Sequence, residues 1–209
     1  MPGKFIVFEG IDGSGKSTTI AAIAERLAAA GVKTIQLREP TEKTDASREI
    51  RRILRTATKI DAKVSGDLLD LFLIDRLWDI KHQIEPALSS GNVVLLDRYF
   101  ISTCAYQSAD TGETLNILQK YLDDTRILRP DALVFLNLPT KIAVRRLADR
   151  SARDVFETET RLEAIATRYA AAVRRLQESA HEIKVHEISH ELTNSDFDTL
   201  ADMIKGIIK

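Results

Sequence analysis

Residues 4–19 read KFIVFEGIDGSGKSTT, a short apolar run set directly against a glycine-rich turn and a helix-forming segment. From Gly10 to Ser17 the spacing fits G-x-x-x-x-G-K-[ST], the phosphate-binding loop of proteins that use ATP or GTP. Glycine lets the backbone curl until successive N–H groups converge on phosphate oxygens at a helix N-terminus. The expected cradle comprises Gly10, Ile11, Asp12, Gly13, Ser14, Gly15, Lys16, Ser17 and Thr18. Lys16 would add a point charge near the β- and γ-phosphates of ATP, and the Ser17 hydroxyl would ligate Mg²⁺. Context agrees with the motif. Phe5, Ile6, Val7 and Phe8 read as a strand buried on both faces, and Ile20, Ile23, Ala24 and Leu27 recur at helical spacing until Gly31 stops the helix.

Outward from this stretch, four more segments read as strands: 33–37, 93–96, 132–138 and 183–188. Helical patterns fill the gaps over 46–56, 67–89, 101–109, 113–127, 140–149, 158–179 and 196–208. Strands alternating with helices predict an α/β fold of P-loop NTPase type: a five-stranded parallel sheet in a three-layer α/β/α arrangement. A short helical lid is expected over about 141–158, and the absence of repeats or linkers makes residues 1–209 one domain. In such a sheet ligands gather beyond the carboxyl ends of the strands. The loops there carry Arg38-Glu39-Pro40-Thr41 and Asp97-Arg98-Tyr99. Asp97 follows VVLL and could hold Mg²⁺ opposite Ser17, while Arg98 could grip an acceptor phosphate in a fork. Arg150 and Arg153 lie where the helical pattern loosens, as in a lid whose arginine neutralises the transferring phosphoryl group. Arg145 and Arg146 read as solvated, and Arg48, Arg51, Arg52 and Arg55 occupy two helical faces, of which only one can look into the site.

Composition narrows the function classes. A net charge of −1 argues against a general nucleic-acid binder, and no apolar run is long enough to span a membrane. The lone Cys104 excludes an internal disulfide, reads as a packing residue, and fits a reducing, cytoplasmic setting with no signal peptide. His186-Glu187-Ile188-Ser189-His190 matches H-E-x-x-H, a zinc signature that works only on a helix. The flanking pattern is that of a strand, which would hold the two histidines about 13 Å apart. Isolated His82 and His181 read as surface residues.

Taken in order, FEGIDGSGKST, REPT, LFLIDR, DRYFISTCAYQ, RPD and DVFE resemble the bacterial and archaeal thymidylate kinases across nearly the whole chain. The DRY…AYQ string is the specific part. The resemblance implies transfer of the γ-phosphoryl of ATP to dTMP with Mg²⁺, in a homodimer. It implies that Asp12 holds the 3′-hydroxyl, that Arg38, Arg98 and Arg51 hold the acceptor phosphate, and that Phe72 stacks on thymine. Arg76, Thr103 and Gln107 would bond the base edge, and Tyr106 would crowd the 2′ position. Two departures stand out. The second loop, TEKTDAS, lacks the glycines of the family pattern, and the phosphate loop lacks the arginine of some eukaryotic members, leaving that duty to Arg150 or Arg153. The other readings are a kinase of the same fold for another nucleotide or nucleoside, a catalytically silent nucleotide-binding subunit, and a GTP switch. The last would need an NKxD string, which Asn137-Leu138-Pro139-Thr140 does not supply.

Overall fold

The computed structural model describes residues 3–57, 61–148, 159–179 and 183–208. β1 (Lys4–Glu9) leads to α1 (Lys16–Ala29), β2 (Thr34–Arg38), α2 (Asp45–Thr56) and α3 (Ala62–Asp79). A π-helical turn over Ile80–Ile84 continues into the short α4 (Glu85–Ser89). β3 (Val93–Asp97), α5 (Phe100–Gln107), α6 (Thr111–Asp123) and β4 (Ala132–Leu136) follow, then α7 (Thr140–Ala148), α8 (Glu159–Glu178), β5 (Lys184–Ile188) and α9 (Asn194–Ile208).

Among the described residues the five strands form one sheet in the order β2-β3-β1-β4-β5, with every neighbouring pair parallel. β1 takes the centre because its residues are apolar on both faces. Phe5 and Val7 pack with Val94, Leu96, Leu133 and Phe135 under α5, α6 and α8. Ile6 and Phe8 pack with Leu95 and Val134 under α1 and α9. Successive strand residues point to opposite faces, so an unbroken apolar run requires a covering layer on each side. The three expected layers are present. Each aliphatic or aromatic side chain so buried contributes about 1.5–3 kcal/mol.

Differences from the sequence reading lie at element ends. The helix expected over 67–89 starts at Ala62, where Asp61 accepts a hydrogen bond from the Val64 N–H at 3.0 Å. Its first turn, Ala62-Lys63-Val64-Ser65, has no residue in the core and mixes polar with apolar side chains, so apolar periodicity could not reveal it. β4 ends at Leu136 rather than 138, and α6 ends at Asp123 rather than 127. His186 and Glu187 lie in β5 and His190 beyond it, so the zinc arrangement does not form; the His190 ring instead meets Asp196 at 3.0 Å. His82 is exposed and stacks on Trp78, and Cys104 is buried as a free thiol. No helix among the described residues is long and apolar enough to cross a membrane. His181, most of the expected lid, and both Arg150 and Arg153 lie outside the described residues.

Candidate active site

The loop after β1 runs straight into α1. Gly15 precedes the helix with φ 96°, no side chain caps that end, and its first turn holds no acidic residue. The free N–H groups and the positive end of the helix dipole therefore face a cavity of about 110 Å³ bordered by Asp12, Gly13, Lys16, Ser17 and Thr18. Gly13 has φ 79°, and a Cβ there would stand 2.6 Å from the Ala143 carbonyl oxygen, so glycine alone lets α7 pack on the loop. Lys16 Nζ donates to the carbonyls of Gly10 and Ile11 at 2.9 and 3.0 Å. Burial, then the nearby Arg98 charge, bring its ammonium down from 10.5 to about 8. Ser14 Oγ is buried without a partner among the described residues.

Ser17 Oγ donates to Asp97 Oδ2 at 2.8 Å, while Asp97 Oδ1 is buried and unpaired among the described residues. A hydroxyl beside a carboxylate with a vacant buried lone pair is the hard-oxygen environment that Mg²⁺ takes, with phosphate oxygens and water completing its shell. The pair fits that ion.

Arg98 stands where this cavity meets a second one. Its backbone is left-handed at φ 70°, a strained conformation outside glycine, and its N–H donates to the Phe8 carbonyl at 3.0 Å. Nη2 donates to Asp12 Oδ1 at 2.6 Å, and the guanidinium lies 5.0 Å from the centre of the Tyr106 ring. The Tyr106 hydroxyl donates to Asp12 Oδ2 at 2.7 Å. Burial opposes charge on Asp12, yet Arg98, Lys16 and Tyr106 together hold its carboxyl well below the usual range.

The second cavity, about 120 Å³, opens between α3, α5 and the loop after β2, and Asp12, Arg38 and Arg98 border it as well as the first. Phe72 lines it, half-buried, one turn before Arg76. Arg76 is fully buried: Nε and Nη2 donate to Glu39 Oε2 at 2.9 and 2.5 Å, and Nη2 donates to Thr103 Oγ1 at 3.0 Å. The rings of Tyr99 and Tyr121 lie 4.9 and 5.1 Å from its guanidinium carbon. Arg76 Nη1, Glu39 Oε1 and Gln107 Oε1 are buried and unpaired among the described residues. Arg76 Nη1 thus offers a free donor and Gln107 Oε1 a free acceptor in the cavity they line.

Arg38 is exposed at the junction. Arg51 does not reach the second cavity; it donates to the carbonyls of Thr41 and Pro40 at 2.6 and 2.9 Å and borders a neighbouring cavity. The glycine-free loop is held by side chains instead. Asp75 accepts the Thr41 N–H at 2.7 Å, the Thr41 hydroxyl at 2.6 Å and the Thr44 hydroxyl at 2.5 Å. Arg146, read as solvated, donates to the Gly13 carbonyl at 3.3 Å and pairs with Glu191 at 2.8 Å, so it lies over the phosphate loop. Sequence reasoning also passed over Glu9, Glu39 and Asp75, whose one signal was a carboxylate adjoining a motif.

A family model described as thymidylate kinase matches residues 8–195. The chain belongs to the thymidylate kinase family. It is 40% identical over 166 residues to the thymidylate kinase of Leptospira borgpetersenii, covering 79% of this chain and 78% of that protein. A putative thymidylate kinase of Aeropyrum pernix is 37% identical over 175 residues, 82% of this chain and 79% of its own. Among solved structures, thymidylate kinase from Candida albicans superposes with a TM-score of 0.77 at 20% identity, over 100% of this chain and 94% of that one. That likeness carries the fold; the family assignment rests on the sequence matches.

Proposed function

We propose that this chain transfers the γ-phosphoryl group of ATP to dTMP, giving ADP and dTDP. The observation that carries the acceptor is that Arg76 Nη1 and Gln107 Oε1, both unpaired, belong to residues lining one cavity. Thymine offers an acceptor at O4 and a donor at N3–H, the complement of that pair. Cytosine offers an amino donor at C4, which would confront the arginine. Phe72 stacks on the ring, Thr103 steadies Arg76, Asp12 takes the 3′-hydroxyl and Tyr106 excludes a 2′-hydroxyl.

The acceptor phosphate has its second pKa near about 6 and is largely dianionic at pH 7, so no strong base is needed. Positioning and charge do the chemistry. The loop N–H groups and Lys16 hold the donor phosphates, while Arg98 and Arg38 at the shared wall align the acceptor oxygen with them. Arg150 or Arg153 is the arginine we assign to neutralising the transferring phosphoryl group. Ser17 and Asp97 hold Mg²⁺, which when bound neutralises β- and γ-phosphate charge. Arg51 steadies the loop that carries Arg38. We further read residues 1–209 as one nucleoside monophosphate kinase domain, a cytoplasmic protein whose free Cys104 suits a reducing compartment. A homodimer is supported by the apolar stripe Leu71, Ile74 and Trp78 on α3, of which Ile74 is 57% exposed.

The test is ADP release from Mg-ATP across a panel of nucleoside monophosphates with a no-acceptor control. Turnover with dTMP and weaker turnover with dUMP is expected. Turnover confined to another monophosphate would discard the thymine pocket, and acceptor-independent release would make the protein an NTPase.

A further inference from the structure

Arg98 is aimed by a buried cluster of Glu9, Ser102 and Tyr169, of which Ser102 also lines the second cavity. Its Nη1 donates to Ser102 Oγ at 3.1 Å and to the Tyr169 hydroxyl at 3.2 Å. Those two hydroxyl oxygens lie 2.6 Å apart. Glu9 Oε2 accepts from Ser102 at 2.5 Å and from Tyr169 at 3.1 Å, and Glu9 Oε1 accepts the N–H groups of Tyr99 and Ser102 at 2.9 and 3.1 Å. Glu9 and Tyr169 are both fully buried. The last residue of β1, the first turn of α5 and the middle of α8 are thereby tied to one guanidinium.

The direction of each proton follows from chemistry. A guanidinium only donates, so both hydroxyl oxygens must accept from Arg98. Their own protons then need an acceptor, and the Glu9 carboxylate is placed to receive them. The Tyr169 hydroxyl has little freedom to move, because its ring stacks on Phe135 at 5.7 Å and meets Tyr106 edge-on at 6.1 Å.

We propose that Tyr169, backed by Glu9 and Ser102, is a positioning residue that holds the Arg98 guanidinium in register for the acceptor phosphate. It sets the advantage the site gives a nucleotide over its nucleoside. This inference rests on the dTMP reading. A purely structural Tyr169 would instead stabilise the core and influence every acceptor alike.

The experiment compares Tyr169→Phe with the unaltered protein in equilibrium binding of dTMP and of thymidine, with KM for ATP measured alongside. The substitution keeps the ring and removes one oxygen. Affinity for dTMP should fall about 10- to 150-fold, as when one hydrogen bond to a charged group is lost, while thymidine affinity stays within about twofold and KM for ATP is unchanged. Equal loss for both ligands, or no loss for dTMP, would overturn the positioning role. Ser102→Ala removes the neighbouring hydroxyl and should give the same split if Tyr169→Phe fails to fold. If the unaltered protein binds neither thymidine nor dTMP, the acceptor assignment itself fails, and the two failures are told apart.

Discussion

Glu39 and Arg76 are removed from water together, and the pair sits beside two more buried carboxylates, Asp75 and Asp79. Burial pushes Glu39 up from 4.5 to about 8 despite the arginine, and burial likewise raises Asp79 to about 6. The folded protein therefore keeps a proton on Glu39 over a range where the unfolded chain has already released it. Where the folded state binds more protons, stability falls as pH rises. Over the range where only the folded state holds that proton, stability should therefore decline as pH rises. Thermal melts should show the protein more stable at pH 6 than at pH 8, and Glu39→Gln should flatten that slope. A slope unaltered by the substitution would place the titrating group elsewhere.

The loop between β2 and α2 has no glycine to fold it, so its shape depends on an element far along the chain. Asp75 of α3 accepts three hydrogen bonds from Thr41 and Thr44, across 34 and 31 residues. Asp75→Asn puts an amide donor where a donor already points and should cost about 2–4 kcal/mol. A drop in Tm with a raised KM for dTMP and an unchanged KM for ATP would be the signature; an unaltered Tm would mean that the loop holds itself. The same contrast explains what was legible in the sequence. The phosphate loop is contiguous, and the doubly covered β1, β3 and β4 carry unbroken apolar runs, so loop and sheet could be read directly. Glu9 meets Tyr169 across 160 residues, and no local pattern announces such a pair. The arginines of α2 were ambiguous for a similar reason. Arg48 and Arg52 satisfy themselves on Asp45 and Glu49 one turn away, and only tertiary packing turns Arg51 inward to the loop carbonyls. Arg146 is exposed as expected, but its contacts with Gly13 and Glu191 escaped the reading because those partners lie far away along the chain.

For the molecule as a whole, the parallel sheet delivers every strand-end loop to one edge, where two cavities share Asp12, Arg38 and Arg98. The outer face of α3, by contrast, leaves Ile74 in solvent while the opposite side of that helix builds the second cavity. If a second copy covers that face, Ile74→Asp should convert a dimer to monomers in sedimentation and weaken acceptor binding through Phe72 and Arg76 on the same helix. An unaltered protein that sediments as a monomer would remove the dimer reading. The base-facing pair in that cavity carries a further cost. In the proposed reading, the unpaired Arg76 Nη1 and Gln107 Oε1 would meet an edge that thymine shares with uracil. Nothing in that pattern registers the 5-methyl group, so rejection of dUMP falls to van der Waals contact, roughly 10- to 200-fold for one methyl. Such a gate leaks: uracil would enter the diphosphate pool in proportion to dUMP, and the purity of DNA precursors would be set by whichever reaction keeps dUMP scarce.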